Sequence, residues 1–179
     1  MKIHPFPAPS RLVSPLRAAL AMIFALLGAA HAVTVNVTQT ADVVNGNTAS
    51  VAALQATPGP DGISLREAVR AVNNDPGGPH IISLPAGTFT LTIPNGADED
   101  AAATGDLDLL KAVTITGAGS ANTIVRAGTT AANGIDKIFS ANPLGGRAGF
   151  PVSITGLTLR FGRNTITATS PGNNIGGRS

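Results

Sequence analysis

The chain has 179 residues, of which 12 are Lys or Arg and 10 are Asp or Glu, giving a formal net charge of +2 and a pI near 9.7. Cysteine is absent, which excludes a disulfide scaffold, a thiolate metal site and a cysteine nucleophile. Tyr and Trp are also absent, which argues against aromatic platforms that stack single-stranded nucleic acid. The 21 Gly and 13 Pro, with only 12% charged residues, are typical of one turn-rich, apolar domain.

Residues 1–32 have the three parts of a secretory signal peptide. A basic beginning without acids precedes an uncharged apolar run at residues 18–30, which is too short to span a membrane. Ala30 and Ala32 then place small side chains at the two positions that a signal peptidase reads. The sequence therefore predicts export with cleavage before Val33, and a buried N-terminal helix is the alternative.

The predicted leader carries much of the basic charge. Lys2, Arg11 and Arg17 leave with it, so residues 33–179 keep 9 of the 12 basic residues against all 10 acidic ones, a formal charge of −1. A near-neutral exported body does not indicate a nucleic-acid partner. It also keeps one histidine, His80, which limits acid–base chemistry near neutral pH.

One amphipathic helix is predicted, after a breaker cluster at residues 58–62 and before another at 73–79. Ser64 is a good N-cap, and Glu67 lies three residues later, the spacing of a capping box. A helix of about nine to eleven residues is not stable alone, so its apolar stripe must cover other structure. That stripe, at positions i, i+3, i+4 and i+7, consists of Leu65, Ala68, Val69 and Val72. The residues expected to face away from it are Arg66, Glu67, Arg70 and Asn73.

Short β runs bounded by Gly, Pro or Asn make up the rest of the chain. Each is a few residues long and rich in Val, Ile, Leu and Thr, as is typical of strands. The runs lie at residues 33–38, 81–84, 88–93, 107–110, 113–116, 123–126, 137–140, 152–155 and 157–160.

A weak repeat indicates how these runs are arranged. The motif Val113-Thr-Ile-Thr-Gly117 recurs as Val152-Ser-Ile-Thr-Gly156, with the run at 137–140 roughly midway. We interpret this spacing as two turns of about 20 residues each, in a parallel β-helix whose inward apolar side chains stack into one core. The predicted helix then caps the first turn, and a β-sandwich is the alternative.

A series of motifs in a fixed order resembles the CSLREA domain, an N-terminal region of secreted bacterial proteins. The motifs are Asp61-Gly-Ile-Ser-Leu-Arg-Glu-Ala-Val69, Leu84-Pro-Ala-Gly-Thr-Phe-Thr-Leu-Thr92, Gly105-Asp-Leu-Asp-Leu109, Thr114-Ile-Thr-Gly-Ala-Gly119, Asp136-Lys-Ile-Phe139 and Ile154-Thr-Gly-Leu-Thr-Leu-Arg160. The resemblance spans about residues 33–162. It implies a right-handed parallel β-helix on an exported, often surface-anchored protein, adhesin-like in some members, and it implies no reaction. Ile63 stands where the family name places Cys, which points to a packing role.

Asp106 and Asp108 are the main candidates for chemistry. They lie two residues apart, so in a strand both carboxyls point to one face while Leu107 and Leu109 point to the other. Paired acids suit Ca²⁺ or a polysaccharide lyase or glycosidase, but the alternation also describes a solvated strand face, which we expect here. A lyase requires these carboxyls to converge with a base, Arg126 or Lys137, in an open cleft.

The other charged residues indicate less. The acidic run at residues 98–100 lacks the spacing of a calcium loop and is expected to be a solvated loop. Arg126, Arg160 and Arg163, with Lys137, form a basic row only if successive turns stack in register.

The sequence as a whole predicts an all-β protein, a right-handed parallel β-helix with one short N-terminal capping helix, over residues 33–179. The predicted function is that of an exported cell-surface or extracellular module with a structural, adhesion-like role, contacting a surface, a glycan or a protein. No catalytic residue and no cofactor is assigned, apart from the Ca²⁺ considered at Asp106 and Asp108. The alternative is a pectin-lyase-like polysaccharide lyase or glycosidase fragment. No membrane span is expected in the mature chain, and its uncapped C-terminal end predicts either a fragment or self-association.

Overall fold

A computed structural model describes residues 32–95, 99–141 and 149–163. Within these residues it contains two helices and nine strands. Most of the predicted leader, including Ala30, lies outside the described residues, and Ala32 is exposed. The helices are α1 (Val51–Ala56) and α2 (Leu65–Asn74). The strands are β1 (Thr34–Asn36), β2 (His80–Leu84), β3 (Gly87–Thr90), β4 (Leu107–Leu109), β5 (Val113–Gly117), β6 (Thr123–Arg126), β7 (Phe139–Ala141), β8 (Val152–Thr155) and β9 (Thr158–Arg160).

The strands form three sheets, and every strand pair among the described residues is parallel. Sheet A has the order β1-β2-β5-β8, sheet B the order β3-β6-β9, and sheet C consists of β4 and β7. The chain from β2 to β9 visits sheets A, B and C in turn before returning to A. A strand-rich fold with parallel sheets and few helices, as predicted, is confirmed.

The predicted turn length is wrong. Val113 of β5 pairs directly with Val152 of β8, so the two copies of the repeated motif lie on neighbouring strands of one sheet. The preceding pair joins His80 of β2 to Val113, over a slightly shorter length of chain. The run that lies midway between the copies became β7, which pairs with β4 in sheet C. One passage through the three sheets therefore contains three strands and is about twice as long as predicted.

Sheet A stacks one aliphatic side chain per strand in register. Val35 of β1 pairs with Ile82 of β2, Ile82 pairs with Ile115 of β5, and Ile115 pairs with Ile154 of β8. The first three are fully buried, and Ile154 packs against the same core while partly exposed. Because side chains alternate between the faces of a strand, in-register pairing keeps this row on the interior face of the sheet.

The glycines that end the two copies of the motif meet at one corner. A Cβ atom on Gly117 would lie 2.3 Å from the carbonyl oxygen of Gly156. Gly156 itself has a φ of 66°, a left-handed backbone conformation that residues other than Gly rarely adopt. The repeat thus contains Gly because two successive passages of the backbone approach closely there.

Helix α2 begins and packs as the sequence predicts. The Ser64 hydroxyl accepts a hydrogen bond from the Glu67 N–H at 3.1 Å, and the Glu67 carboxylate accepts one from the Ser64 N–H at 2.9 Å, so the capping box is complete. The helix contacts α1, β2 and β4. Its buried apolar stripe consists of Leu65, Ala68, Val69 and Val72.

Helix α1 was not predicted. Its N-cap Ser50 accepts a hydrogen bond from the Ala53 N–H at 3.1 Å, and Val51 and Leu54 are buried. A single short helix with two buried apolar side chains carries too brief a periodic pattern to be recognised from sequence, and it is held by its packing on α2.

Arg66 and Glu67, which the sequence places off the apolar stripe, are nevertheless fully buried. The Arg66 guanidinium donates to both carboxylate oxygens of Asp42, at 2.6 Å from Nε and 3.1 Å from Nη2. Its remaining N–H groups reach backbone carbonyls, so all five donors have partners. These carbonyls belong to Ala102 at 3.1 Å, Gly105 at 2.8 Å and Asp106 at 3.3 Å.

The carboxylates of Asp42 and Glu67 also accept hydrogen bonds from backbone N–H groups of neighbouring loops. Asp42 accepts hydrogen bonds from the N–H groups of Thr92 and Ile93 at 2.8 and 3.0 Å. Glu67 accepts from the N–H groups of Asn45 and Gly46, both at 2.7 Å. Arg66 and Glu67 therefore bind two loop segments to α2, at residues 42–46 and 102–106, and Asp42 links a third, at residues 92–93.

Replacing Arg66 with Met tests this network. The change leaves the buried Asp42 carboxylate without its counter-charge and three carbonyls without donors, so we expect the free energy of unfolding to fall by about 3–5 kcal/mol. Urea denaturation followed by circular dichroism measures it. The matched control is Arg70→Met on the partly exposed side of the same helix. Equal destabilisation by the two changes would contradict this account.

Candidate functional site

Asp106 and Asp108 are buried, with 5% and 1% of their surface exposed, so the predicted solvated strand face is wrong. The segment before β4 folds back over it, and the Ala102 N–H donates to the Asp108 carboxylate at 3.0 Å. From the helix, the Asn73 amide donates to the backbone carbonyl of Asp108 at 2.7 Å. Leu107 and Leu109 are buried as well. Both faces of β4 are therefore covered.

The Asp106 carboxylate faces Lys137, whose Nζ lies 3.4 Å from Oδ2. The Lys137 side chain is 41% exposed, so its ammonium lies between the buried Asp106 carboxylate and the solvent. The neighbouring Asp136 is buried, and its carboxylate accepts hydrogen bonds from the Asn95 amide at 2.8 Å and the Lys137 N–H at 2.7 Å. Asp106 is therefore the buried carboxyl that pairs with the Lys137 ammonium, while Asp108 and Asp136 are held by backbone N–H groups and an amide.

Burial, together with the neighbouring charges, moves the pKa of these groups. Burial raises the pKa of Asp106, the Lys137 charge opposes the shift, and the Asp136 charge adds to it. Burial also raises the pKa of Asp108 to about 7, against the hydrogen bond from Ala102. Burial acts to lower the pKa of Lys137, but the contact with Asp106 and the charges of Asp136 and Asp108 together outweigh it and the pKa is raised. The cluster is an ionic core element in which one acid titrates near neutral pH.

The geometry meets one condition for a lyase and fails the other. Asp106 does lie beside Lys137, but both candidate carboxyls are nine-tenths or more buried and do not line an open cleft. Arg126 points elsewhere, since its Nε donates to the Thr90 hydroxyl at 2.8 Å. Two buried carboxyls cannot flank the scissile bond of a polysaccharide, so they are poor candidates for catalytic acids.

The candidate metal site and the candidate row of basic side chains are not formed by the described residues. Among the described residues, no group of three or more His, Asp or Glu side chains is arranged to hold a metal ion. Arg126 and Arg160 do pair in register on β6 and β9. Arg163 instead donates to the carbonyl of Ala132 at 2.9 Å, and Lys137 faces Asp106. The four basic residues therefore do not form one row.

His80 is a buried polar residue whose partners sequence reasoning missed. It is the first residue of β2, and its Nδ1 accepts a hydrogen bond from the Val33 N–H at 3.3 Å. Its Nε2 lies 3.2 Å from the carboxylate of Asp75, the C-cap of α2. Burial acts to raise the pKa of Asp75, but hydrogen bonds from the N–H groups of Gly77 and Val51, with the nearby His80, outweigh it and lower the pKa. Asp75 and His80 lie close in sequence, but Val33 lies 47 residues before His80, so no local pattern connects all three residues.

An apolar opening lies beside the last strands. It has a volume of about 480 Å³ and is lined from β7, β8, β9 and the residues that follow β9. Its apolar lining includes Ile138, Phe139, Ile154, Leu159 and Phe161. This end of the core is thus less covered than the end under α2.

Comparison of the chain with protein-family models, curated proteins and solved structures finds no match. In the part of the chain that the structure describes, no helix is both long and apolar enough to cross a membrane.

Replacing Asp108 with Asn tests the buried acid. The pKa of Asp108 is about 7 in the folded protein and near 3.8 in the unfolded chain. Between about pH 4 and pH 7, Asp108 is therefore protonated in the folded state and ionised in the unfolded state. Stability due to this group is therefore present at about pH 4 and is lost as pH rises to about 7. Relative to the Asn variant, we expect the wild type to lose on the order of 3 kcal/mol across this range, measured by denaturation at a series of pH values.

The control for this titration is Asp61→Asn, an exposed acid before α2 whose charge is not among those that shift the pKa of Asp108. Its pH profile should run parallel to that of the wild type. A wild-type profile that stays parallel to Asp108→Asn as well would refute a raised pKa at this site.

Proposed function

We propose that the chain is an exported module of the CSLREA type, a right-handed parallel β-helix with a structural, adhesion-like binding role outside the cell. Residues 1–32 are its export signal and residues 33–179 its exported body. The observation that carries the proposal is the aliphatic row of sheet A, which continues in register over four strands. Such a row is what stacked turns of a solenoid produce, because each turn buries its apolar face only against its neighbours.

The two ends of the core differ in a way that supports a capped solenoid. At the first strands, α2 covers β2 and β4 and buries its whole apolar stripe. At the last strands the in-register row of sheet B becomes exposed: Phe89 and Val125 are buried, but their neighbour Leu159 is 47% exposed. Within the described residues a helix covers one end and no element covers the other, which is the arrangement expected of an N-terminal cap.

The open end also carries strand edges. In the described parts of the chain, β7, β8 and β9 each pair with a strand on one side only. Unpaired edges beside exposed apolar surface are ready to pair with another strand. We therefore include self-association through this end, defined as the open end, in the proposal.

The lyase or glycosidase alternative loses its main support at the site. Its two candidate acids are buried and held by Ala102 and Lys137. A structural module needs no exposed acid pair, and buried charges that are paired suit such a role.

Export is tested with the full chain and its own leader in a bacterial host. We expect the secreted protein to begin at Val33, by N-terminal sequencing, because Ala30 and Ala32 match a peptidase site. Ala32→Leu should reduce processing about tenfold or more, since a bulky side chain does not fit the position next to the cut. Ala29→Leu, outside the two recognised positions, is the control. A secreted chain that still begins at Met1 would defeat the proposal.

The same secreted protein distinguishes binding from cleavage. Incubated with acidic and neutral polysaccharides, an adhesion-like module co-sediments with a glycan or with cells and leaves the polymer intact. Release of unsaturated sugar products would overturn the proposal in favour of a lyase.

Self-association is tested by Leu159→Glu at the open end. We expect the wild type to show concentration-dependent association in sedimentation experiments and the variant to remain monomeric, because the charge cannot be desolvated in a strand–strand contact. Ile81→Glu is the matched control, since Ile81 is also exposed but lies on a central strand of sheet A. A wild type that stays monomeric at every concentration would remove this part of the proposal.

A further inference from the structure

We propose that cleavage before Val33 creates a ligand for a site already built in the fold: the new α-ammonium group of Val33 binds Nδ1 of His80, which is backed by Asp75. The inference rests on the proposed export signal for the position of the cut. It goes beyond that signal by giving the cleavage a structural consequence. Only cleavage of this bond, and not of the bond on either side, places the new ammonium group next to His80.

Val33 is held from several directions. Its backbone nitrogen lies 3.3 Å from Nδ1 of His80, and its carbonyl accepts a hydrogen bond from the Ile81 N–H at 3.0 Å. Its side chain packs against the hydrophobic core. The next residue, Thr34, begins β1 and pairs with Ile81 of β2. The position of the nitrogen is therefore set by contacts that do not involve the residues before it.

His80 is arranged as an acceptor toward Val33. Nδ1 receives the Val33 N–H, so in the neutral imidazole the proton sits on Nε2, 3.2 Å from the Asp75 carboxylate. Asp75 is fixed in turn by hydrogen bonds from the N–H groups of Val51 and Gly77, at 2.8 and 2.7 Å. The imidazole is 3% exposed, so water competes poorly for either nitrogen.

Hydrolysis of the peptide bond between Ala32 and Val33 consumes one water and yields a carboxyl group on Ala32 and an amine on Val33. The α-amine has an ordinary pKa near 8 and is largely protonated at neutral pH. The single N–H that donates to His80 then becomes an ammonium with three N–H groups, and a hydrogen bond from a charged donor is stronger than one from a neutral amide. Asp75 supplies the negative charge behind the imidazole.

The other charged group at this place does not compete for that carboxylate. Lys111 donates from Nζ to the backbone carbonyl of Asp75. The carboxylate of Asp75 is therefore left to the two N–H groups and His80. An ammonium at Val33 completes the line from α-amine to imidazole to carboxylate.

Neighbouring cuts do not produce this contact. Cleavage one residue earlier leaves the ammonium on Ala32, which is exposed, while Val33 keeps a neutral amide. Cleavage one residue later removes both the nitrogen that meets His80 and the carbonyl that accepts from Ile81. The fold thus distinguishes the bond before Val33 from the bonds on either side.

The test uses chains whose N-termini are made by a protease in vitro, so it does not depend on export. One chain begins at Val33 and the other at Ala32, and both keep the compact unit to which the described residues belong. The rate of α-amine acylation at neutral pH is measured in the native and urea-unfolded states. We expect native protection of Val33 to exceed that of Ala32 by about tenfold, because a bound terminus reacts only after local opening. Equal protection of the two chains would overturn the proposal.

Two substitutions at His80 show whether the imidazole provides the protection. His80→Asn keeps an acceptor near the position of Nδ1 and should retain most of it, whereas His80→Gln places its amide near Nε2 and should lose it. If His80→Gln protects Val33 as well as the wild type does, the proposal fails. If that variant does not fold, the Val33 and Ala32 chains alone decide. Exported protein with an unprotected Val33 refutes this inference only, whereas a protected Val33 in a chain that is not exported refutes only the export proposal.

Discussion

The burial of the Arg66 guanidinium is the constraint on which the first part of this structure depends. A cation with no solvent contact is tolerated only if its charge is paired and its five N–H groups are bonded. Asp42 supplies the charge, and the backbone carbonyls between Ala102 and Asp106 supply the other acceptors. The loop before β4 must therefore approach α2 closely. That approach covers β4 and takes the carboxyls of Asp106 and Asp108 out of water.

Local patterns predicted the elements well, but not how they pair. The helix at α2 and all nine strands could be anticipated, because a capping box, an apolar stripe and Gly-bounded β runs are each written in a few consecutive residues. The turn length could not, because two copies of one motif fit either a single long turn or two turns of half that length. Only the pairing of Val113 with Val152, a contact between distant residues, decides between them.

The site was predicted less well, for a related reason. Alternation along residues 106–109 indicates that the strand has two faces, and it implies nothing about what lies on either. The acids were expected in solvent, yet one loop and one helix cover them. The burial of Arg66 could not be predicted either, since its partner Asp42 lies in a loop well before the helix. The line from Val33 through His80 to Asp75 joins the residue before β1, a second strand and a helix end, which no short window of sequence contains.

The buried polar groups are unevenly distributed, and this bears on how a stacked fold fixes its register. Arg66, Glu67 and His80 lie in or beside α2 and Asp106 and Asp136 lie beside β4 and β7, whereas β8 and β9 extend their sheets through the apolar pairs Ile115–Ile154 and Val125–Leu159. Apolar contacts are not directional, so a shift in the register of two strands changes their contact free energy little. A buried ion that loses its partner costs several kcal/mol. We infer that the polar contacts under α2 determine where the first passage begins, and that each later strand takes its register from the one before it.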